Sequence, residues 1–142
     1  MPRGTKAFNK QKEGDDHKVI PIMQHLTRLG YKVFREPTIE NANFSTNNKV
    51  RRPDLKVEVK DPELPPFEIY LELDGNVHGN LVWPTENTMR RNGDYERTNR
   101  KYIIISEEDC KFHGIDVEKY AAIRIDEEFS KFKSRFFVGL IN

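Results

Sequence analysis

The sequence predicts a single α/β domain with a mixed sheet, flanked by helices, in the element order αβββαβ. Residues 52–60 and 67–75 each alternate apolar and charged side chains, which is typical of half-buried strands. A polar segment of helical character then separates the second strand from the apolar run 102–105. A hairpin followed by a helical crossover combines antiparallel with parallel pairing, so we expect a mixed sheet covered by helices.

A helix and a strand are predicted to precede the hairpin. Apolar residues repeat at helical spacing over 18–29, and Gly30 is a natural stop for this helix. Pro21 lies near its start, where proline is tolerated. The segment 31–35 favours a strand, and the Asn-rich segment 38–48 is predicted to be a loop.

The two alternating segments are predicted to pair across the proline-rich breaker 61–66. A register in which partner numbers sum to about 126 places the apolar residues of both strands on one face. A slip of one residue would set an apolar row against a charged row, so the hydrophobic effect determines the register. The same register brings three carboxylates together on the other face of the hairpin: Asp54, Glu72 and Asp74.

The remaining elements alternate helix and strand. Residues 85–99 favour a polar helix, 102–105 a buried strand, and 106–109 the cap and first turn of a short helix. A last strand is predicted over 122–125. A helix over 127–140 carries phenylalanines at helical spacing, and we expect them in the core or a subunit contact rather than under nucleic-acid bases.

Composition indicates one domain with a moderate core and a highly charged surface, since 36% of the 142 residues are hydrophobic and 33% charged. We expect residues 1–16 to form a flexible arm, 17–109 the core and 110–142 a C-terminal extension. The net charge of +1 gives no global basic field, but basic residues cluster over 49–52 and 90–101. Such local clusters can steer a polyanion.

Cysteine content and hydropathy argue against two classes of protein, those stabilised by cysteines and those that cross a membrane or are secreted. Cys110 is the only cysteine, so one chain has neither a disulfide framework nor a cysteine zinc site. No apolar run reaches membrane-spanning length, and the polar N-terminus does not have the character of a signal peptide. We therefore expect a cytoplasmic, intracellular protein that is not secreted and has no membrane partner.

The three carboxylates on the polar face predict a cation site. Like charges on neighbouring strands repel, so a fold retains them when something offsets the charge. Mg²⁺ takes oxygen ligands and typically uses one or two carboxylates together with substrate phosphates. The alternative is a solvated strand face balanced by Lys56, Lys60 and Arg52.

Two motifs carry a resemblance to a known family: Pro53-Asp54 on the first hairpin strand, and Glu72-Leu73-Asp74-Gly75-Asn76-Val77-His78 at the end of the second. With the element order, they make residues 17–109 resemble the PD-(D/E)XK nuclease superfamily. Within it the chain is most similar to small endonucleases of the very-short-patch-repair (Vsr) type. The resemblance implies a restriction-endonuclease-like core and Mg²⁺-dependent hydrolysis of phosphodiester bonds in DNA, with Mn²⁺ as a substitute for Mg²⁺.

The resemblance also implies roles for individual residues. Asp54, Glu72 and Asp74 would hold the metal, Asp74 standing where many members carry a lysine. Lys56 is the candidate replacement for that lysine, orienting water or holding phosphate oxygens. His78 would act as general base or acid. The alternative for His78 is a loop histidine that hydrogen-bonds a backbone carbonyl.

Arginines are the candidate phosphate contacts: Arg52, Arg90, Arg91 and Arg97. The alternative is a solvated helix face paired with Glu86, Asp94 and Glu96. Trp83 and Tyr95 lie in the same region and would either stack on a base or cover the sheet edge.

Many superfamily members complete the metal shell with an acidic residue on the first helix, which is missing from this predicted helix. The residues offered instead are His17, Gln24 and His25, with Asp15 and Asp16 just before the helix. An alternative function is therefore a catalytically inactive nuclease-fold module that binds nucleic acid or serves in assembly. A third hypothesis is a small regulatory protein that acts through its phenylalanine-rich C-terminal segment. DNA is the expected partner, RNA stays open, and a homodimer is the expected assembly if both strands are cut.

Overall fold

The computed structural model describes residues 18–74 and 86–141, apart from the side chains of Asp74, Asn87, Leu140 and Ile141. The described chain forms a mixed sheet flanked by helices, which confirms the predicted mixed α/β architecture. The predicted arm, residues 1–16, lies outside the described residues. Among the described helices, none combines the length and the apolar content needed to cross a membrane.

The elements, in chain order, are α1 (18–28), β1 (Lys32–Arg35), β2 (Ile39–Glu40), β3 (Val50–Arg51), β4 (Leu55–Val59), β5 (Phe67–Asp74), α2 (Glu86–Arg97), β6 (Lys101–Ser106), α3 (Glu107–Phe112) and α4 (Val117–Ile141). The main sheet has the strand order β1-β4-β5-β6, and β2 and β3 form a separate small ladder. β4 pairs antiparallel with β1 and β5, whereas β5 and β6 are parallel. The predicted order αβββαβ thus corresponds to α1, β1, β4, β5, α2 and β6.

The predicted register of the β4–β5 hairpin is confirmed. Leu55 lies opposite Leu71 and Val57 opposite Ile69, so partner numbers sum to 126. All four of these side chains are fully buried. The apolar row of the hairpin therefore contributes the sheet side of the main core, and the polar row lies on the opposite face of the sheet.

Helices α1 and α4 cover the apolar face of the sheet. Their core side chains recur every three or four residues, which puts them on one side of each helix: Val19, Ile22 and Leu26 in α1, and Ala121 and Ile125 in α4. Gly30, just after α1, has a φ of 97°, which glycine adopts without the penalty that a Cβ would bring. The chain reverses at this point and enters β1.

The strand predicted over 122–125 is wrong, because these residues belong to α4. Ala121, Ile125 and Phe129 recur every four residues and pack against the core. A run of four residues is too short for its periodicity to distinguish a buried strand from one stripe of a helix. The segment 110–142, predicted as an extension, therefore contributes side chains to the main core.

Two phenylalanines of α4, Phe129 and Phe132, pack on the sheet, which confirms the core role for these two. The rings of Phe67 and Phe132 are stacked with their centroids 4.4 Å apart, and Phe129 lies 6.3 Å from Phe67. These contacts attach the middle of α4 to the start of β5.

The predicted loop over 38–48 is wrong at its start, because Ile39 pairs with Arg51 and Glu40 with Val50. The Thr46 hydroxyl bonds both the N–H and the C=O of Val50, which closes the turn between these strands. We call residues 41–49 the 41–49 loop. Side chain to backbone bonds of this kind hold a polar segment that hydrophobic periodicity cannot detect.

Replacing Ile125 by alanine tests the helical assignment of 122–125. Ile125 is fully buried, so Ile125→Ala should lower the free energy of unfolding by about 3 kcal/mol. Ile123 is 47% exposed on the same helix, and Ile123→Ala should change it by less than about 0.5 kcal/mol. Urea denaturation measures both values, and equal losses would contradict the assignment.

Candidate active site

Two carboxylates, which we call the carboxylate pair, lie side by side on the polar face of the β4–β5 hairpin. Asp54 directly precedes β4, and Glu72 lies two residues before the end of β5. Oδ2 of Asp54 accepts a hydrogen bond of 2.6 Å from the backbone N–H of Leu73. This bond fixes the Asp54 carboxylate beside Glu72, where the register predicted it.

Glu72 is held in a mostly buried environment, with 13% of its side chain exposed. Its Oε1 accepts a hydrogen bond of 2.9 Å from the Tyr95 hydroxyl, and the Arg91 guanidinium lies 4.0 Å from its Oε2. Burial and the negative charge of Asp54 raise the pKa of Glu72 to about 7, against the opposing effects of Arg91, Tyr95 and Arg51. A divalent cation would relieve this repulsion.

Two predicted site residues lie partly or wholly outside the described part of the chain. The backbone of Asp74 closes β5 and pairs with Ser106, but its side chain is not described. His78 lies in the segment 75–85, outside the described residues. Within the described residues, no group of three or more His, Cys, Asp or Glu side chains is arranged to hold a metal ion.

The carboxylate pair fits a hard divalent cation. Both groups are oxygen donors, and Mg²⁺ commonly binds through one or two protein carboxylates and completes its shell with water and phosphate. The mutual repulsion of Asp54 and Glu72 supplies an electrostatic reason for a cation to bind here.

Lys56 lies on the same strand face but is engaged elsewhere. Its ammonium lies 3.5 Å from Oε1 of Glu58 and 4.5 Å from the centre of the Phe34 ring. Glu58 is two residues farther from Asp54 along β4, so these contacts hold the ammonium on the Glu58 side. A role for Lys56 at the carboxylate pair would require it to leave both partners.

The predicted phosphate-binding arginines have different surroundings. Arg52 is exposed, and Arg90 is exposed and ion-paired with Glu86 on the same helix. Arg97 is ion-paired with Asp94 and keeps 54% of its side chain exposed. The pairing foreseen as the alternative is thus present for Arg90 and Arg97.

Arg91 differs from the other three, because its side chain is 16% exposed and approaches Glu72. Arg51, which sequence analysis did not single out, also acts electrostatically on Glu72. The carboxylate pair is therefore flanked by two guanidinium groups from different elements, β3 and α2.

The alternative for the arginines placed Asp94 on a solvated helix face, but Asp94 is completely buried. It accepts hydrogen bonds from the Ser45 N–H at 2.9 Å, the Ser45 hydroxyl at 3.0 Å and Arg51 Nε at 2.8 Å. Burial alone would raise its pKa, but these bonds hold the pKa below its usual value. Asp94 therefore fastens the 41–49 loop and β3 to α2.

Tyr95 is also completely buried, so its ring is not placed to stack on a base; it packs against Tyr70 of β5 and Tyr102 of β6. It shares a second small core with Ile39, Phe44 and Tyr70, so that the 41–49 loop is anchored by the Phe44 ring as well. Trp83 lies outside the described residues.

In the sequence, the only indication that α2 contributes side chains to the site is the spacing of its residues. Arg91, Asp94 and Tyr95 fall on one side of a helix, at spacings of three and four residues. Because two of the three are charged, no apolar stripe marks this side as the buried one.

Comparisons of this chain with protein-family models, with curated proteins and with solved structures found no match.

Replacing Asp94 tests the fastening of the 41–49 loop. Asp94→Asn should lower the free energy of unfolding by about 2 kcal/mol, because Arg51 loses its counter-charge while it stays mostly covered. Glu96→Gln, on the exposed side of α2, should change it by less than about 0.5 kcal/mol. Guanidinium denaturation measures both, and a neutral Asp94→Asn would contradict the role of this network.

The carboxylate pair should make the metal-free protein less stable as pH rises. The pKa of Glu72 is about 7 in the fold against 4.5 ordinarily, so between these values the folded state binds more protons than the unfolded state. The contribution of protonated Glu72 to the free energy of unfolding is therefore fully present below pH 4.5 and is lost as pH rises towards 7. In EDTA, Glu72→Gln should gain about 2 kcal/mol over the wild type between pH 5 and pH 8.

The matched control for this measurement is Glu68→Gln. Glu68 lies in the same strand and also accepts a tyrosine hydroxyl, but it is exposed. Its stability curve should run parallel to that of the wild type. If the Glu72→Gln curve does the same, the raised pKa of Glu72 is refuted.

Proposed function

We propose that this protein is a metal-dependent endonuclease of the PD-(D/E)XK type that hydrolyses phosphodiester bonds in DNA. The observation that carries the proposal is the carboxylate pair, in which Asp54 is bonded to the backbone beside Glu72. These are the two positions to which the family resemblance assigns metal ligands. The order of elements around the main sheet supports a restriction-endonuclease-like core.

The carboxylate pair would hold Mg²⁺ or Mn²⁺, with Asp74 as the third ligand that the resemblance assigns. Such an ion, when bound, lowers the pKa of a coordinated water and stabilises charge on the scissile phosphate. The Leu73 N–H orients Asp54, and the Tyr95 hydroxyl orients Glu72.

Arg91 is the described cation best placed to hold phosphate oxygens near the carboxylate pair. It balances charge on Glu72 and would turn to the phosphate when the substrate enters. In the proposal His78 handles the proton of the water or of the leaving oxygen. Lys56 assists only if it leaves Glu58.

The substrate groove would be bordered by α2 and the 41–49 loop. The exposed guanidinium groups of Arg52, Arg90 and Arg97 supply positive charge at this border and would contact backbone phosphates, so affinity should fall with salt. The exposed Asn43, Asn47 and Asn48 of the loop offer amide groups that could contact base edges.

A cleavage assay tests the function. Supercoiled plasmid, single-stranded DNA, a mismatched duplex and a four-way junction are incubated with Mg²⁺, Mn²⁺ or EDTA. We expect metal-dependent cleavage of at least one substrate, reduced below about 1% of the wild-type rate by Asp54→Asn and Glu72→Gln. Glu68→Gln on the same strand should retain it. Nicked or linear plasmid as the product distinguishes cleavage of one strand from cleavage of both.

The second candidate is an inactive nuclease-fold module that binds nucleic acid. It is favoured by the absence of an acidic residue from the described helix α1, residues 18–28. DNA binding in a gel shift without cleavage of any substrate, and without Mn²⁺ binding, would replace the proposed function by this one.

A further inference from the structure

Three tyrosines form a column between the polar face of the sheet and α2. The Tyr95 ring lies between Tyr70, at 6.2 Å, and Tyr102, at 5.2 Å, with interplanar angles of 8° and 27°. Each hydroxyl donates to a different glutamate: Tyr70 to Glu68 at 2.9 Å, Tyr95 to Glu72 at 2.9 Å and Tyr102 to Glu96 at 3.2 Å. The column thus contains three tyrosine–glutamate hydrogen bonds of similar length, which differ in where the glutamate lies.

Only the middle pair involves a candidate metal ligand. Glu68 and Glu96 are exposed, and the bonds from Tyr70 and Tyr102 join residues close in sequence. The bond from Tyr95 instead joins α2 to β5 and ends on Glu72, a member of the carboxylate pair.

The position of the Tyr95 hydroxyl is set by packing. The ring is completely buried and is held by an aromatic neighbour on each side. Asp94, the preceding residue, bonds Ser45 and Arg51 and so attaches this part of α2 to the 41–49 loop and β3. A donor fixed in this way can select one rotamer of the acceptor.

We propose that Tyr95 is the positioning residue of the metal site: its buried hydroxyl holds Oε1 of Glu72 and so presets this carboxylate for a divalent cation. The proposal rests on the proposed function. Because Tyr95 has no exposed surface, it touches neither substrate nor solvent and acts only through Glu72. Partners of this kind, which orient a ligand, commonly affect metal affinity by 10–100-fold.

The test measures Mn²⁺ binding to the protein without nucleic acid, by isothermal titration calorimetry and by loss of the free Mn²⁺ EPR signal. Tyr95→Phe removes one oxygen and keeps the ring in the column. We expect it to weaken Mn²⁺ binding about 10-fold. It should also raise the Mn²⁺ concentration that half-saturates cleavage, without lowering the rate at saturation by the same factor.

Tyr102→Phe is the matched control, because it removes the neighbouring hydroxyl, which bonds Glu96 instead. Its Mn²⁺ affinity should stay within about twofold of the wild type, since Glu96 is not a ligand. Cooperative unfolding of both variants in EDTA shows that each is folded. Should Tyr95→Phe fail to unfold cooperatively while Tyr102→Phe does so, the Tyr95 hydroxyl is needed for folding rather than for presetting the ligand, and the positioning role is overturned.

The outcomes separate this inference from the proposed function. Wild-type affinity in Tyr95→Phe, together with loss of binding in Glu72→Gln, overturns the positioning role and leaves the function standing. Equal weakening in Tyr95→Phe and Tyr102→Phe also overturns it, because the effect would then not depend on the bond to Glu72. Absence of Mn²⁺ binding in the wild type overturns both.

Discussion

Leu55 lies opposite Leu71 and Val57 opposite Ile69, and the other features of the structure depend on this register of the β4–β5 hairpin. One parity of both strands is buried under α1 and α4, so the hydrophobic effect opposes any slip. This register also determines where the side chains of the polar face lie. Asp54 and Glu72 therefore become neighbours, although like charges repel. Apolar burial on one face thus stabilises an unfavourable electrostatic arrangement on the other.

The polar face is completed by α2, which buries charged and hydroxyl groups rather than an apolar stripe. Asp94 and Tyr95 are adjacent residues with separate partners. Asp94 bonds the 41–49 loop and Arg51, while Tyr95 bonds Glu72. Because an unpaired buried carboxylate is costly, the hydrogen bonds that Asp94 accepts from Ser45 and Arg51 stabilise the docking of α2. The same contacts that attach α2 therefore bring its arginines to the border of the carboxylate pair.

Burial and the neighbouring Asp54 raise the pKa of Glu72, so the ionised carboxylate is held on this face at a cost in free energy. Arg51 and Arg91 oppose this rise in part, and Arg51 also donates a hydrogen bond to Asp94. Sites that keep carboxylates close at a cost in stability are typical of function rather than of folding. This electrostatic imbalance, together with the resemblance in the motifs, is the reason to propose a metal-dependent nuclease.

Period-two alternation in the sequence determined the hairpin, its register and its two faces, and hence the meeting of Asp54 with Glu72. This pattern is sufficient because the positions of apolar residues along a strand show which face of the strand is buried. The tertiary structure alone decided that 122–125 continue a helix, that Lys56 turns to Glu58, and that Asp94 and Tyr95 are buried. A polar side chain is buried only when partners distant in the chain satisfy it, and Ser45, Arg51 and Glu72 lie far from α2 in sequence. Local patterns carry no record of such partners, so this part of the site could not be read from the sequence.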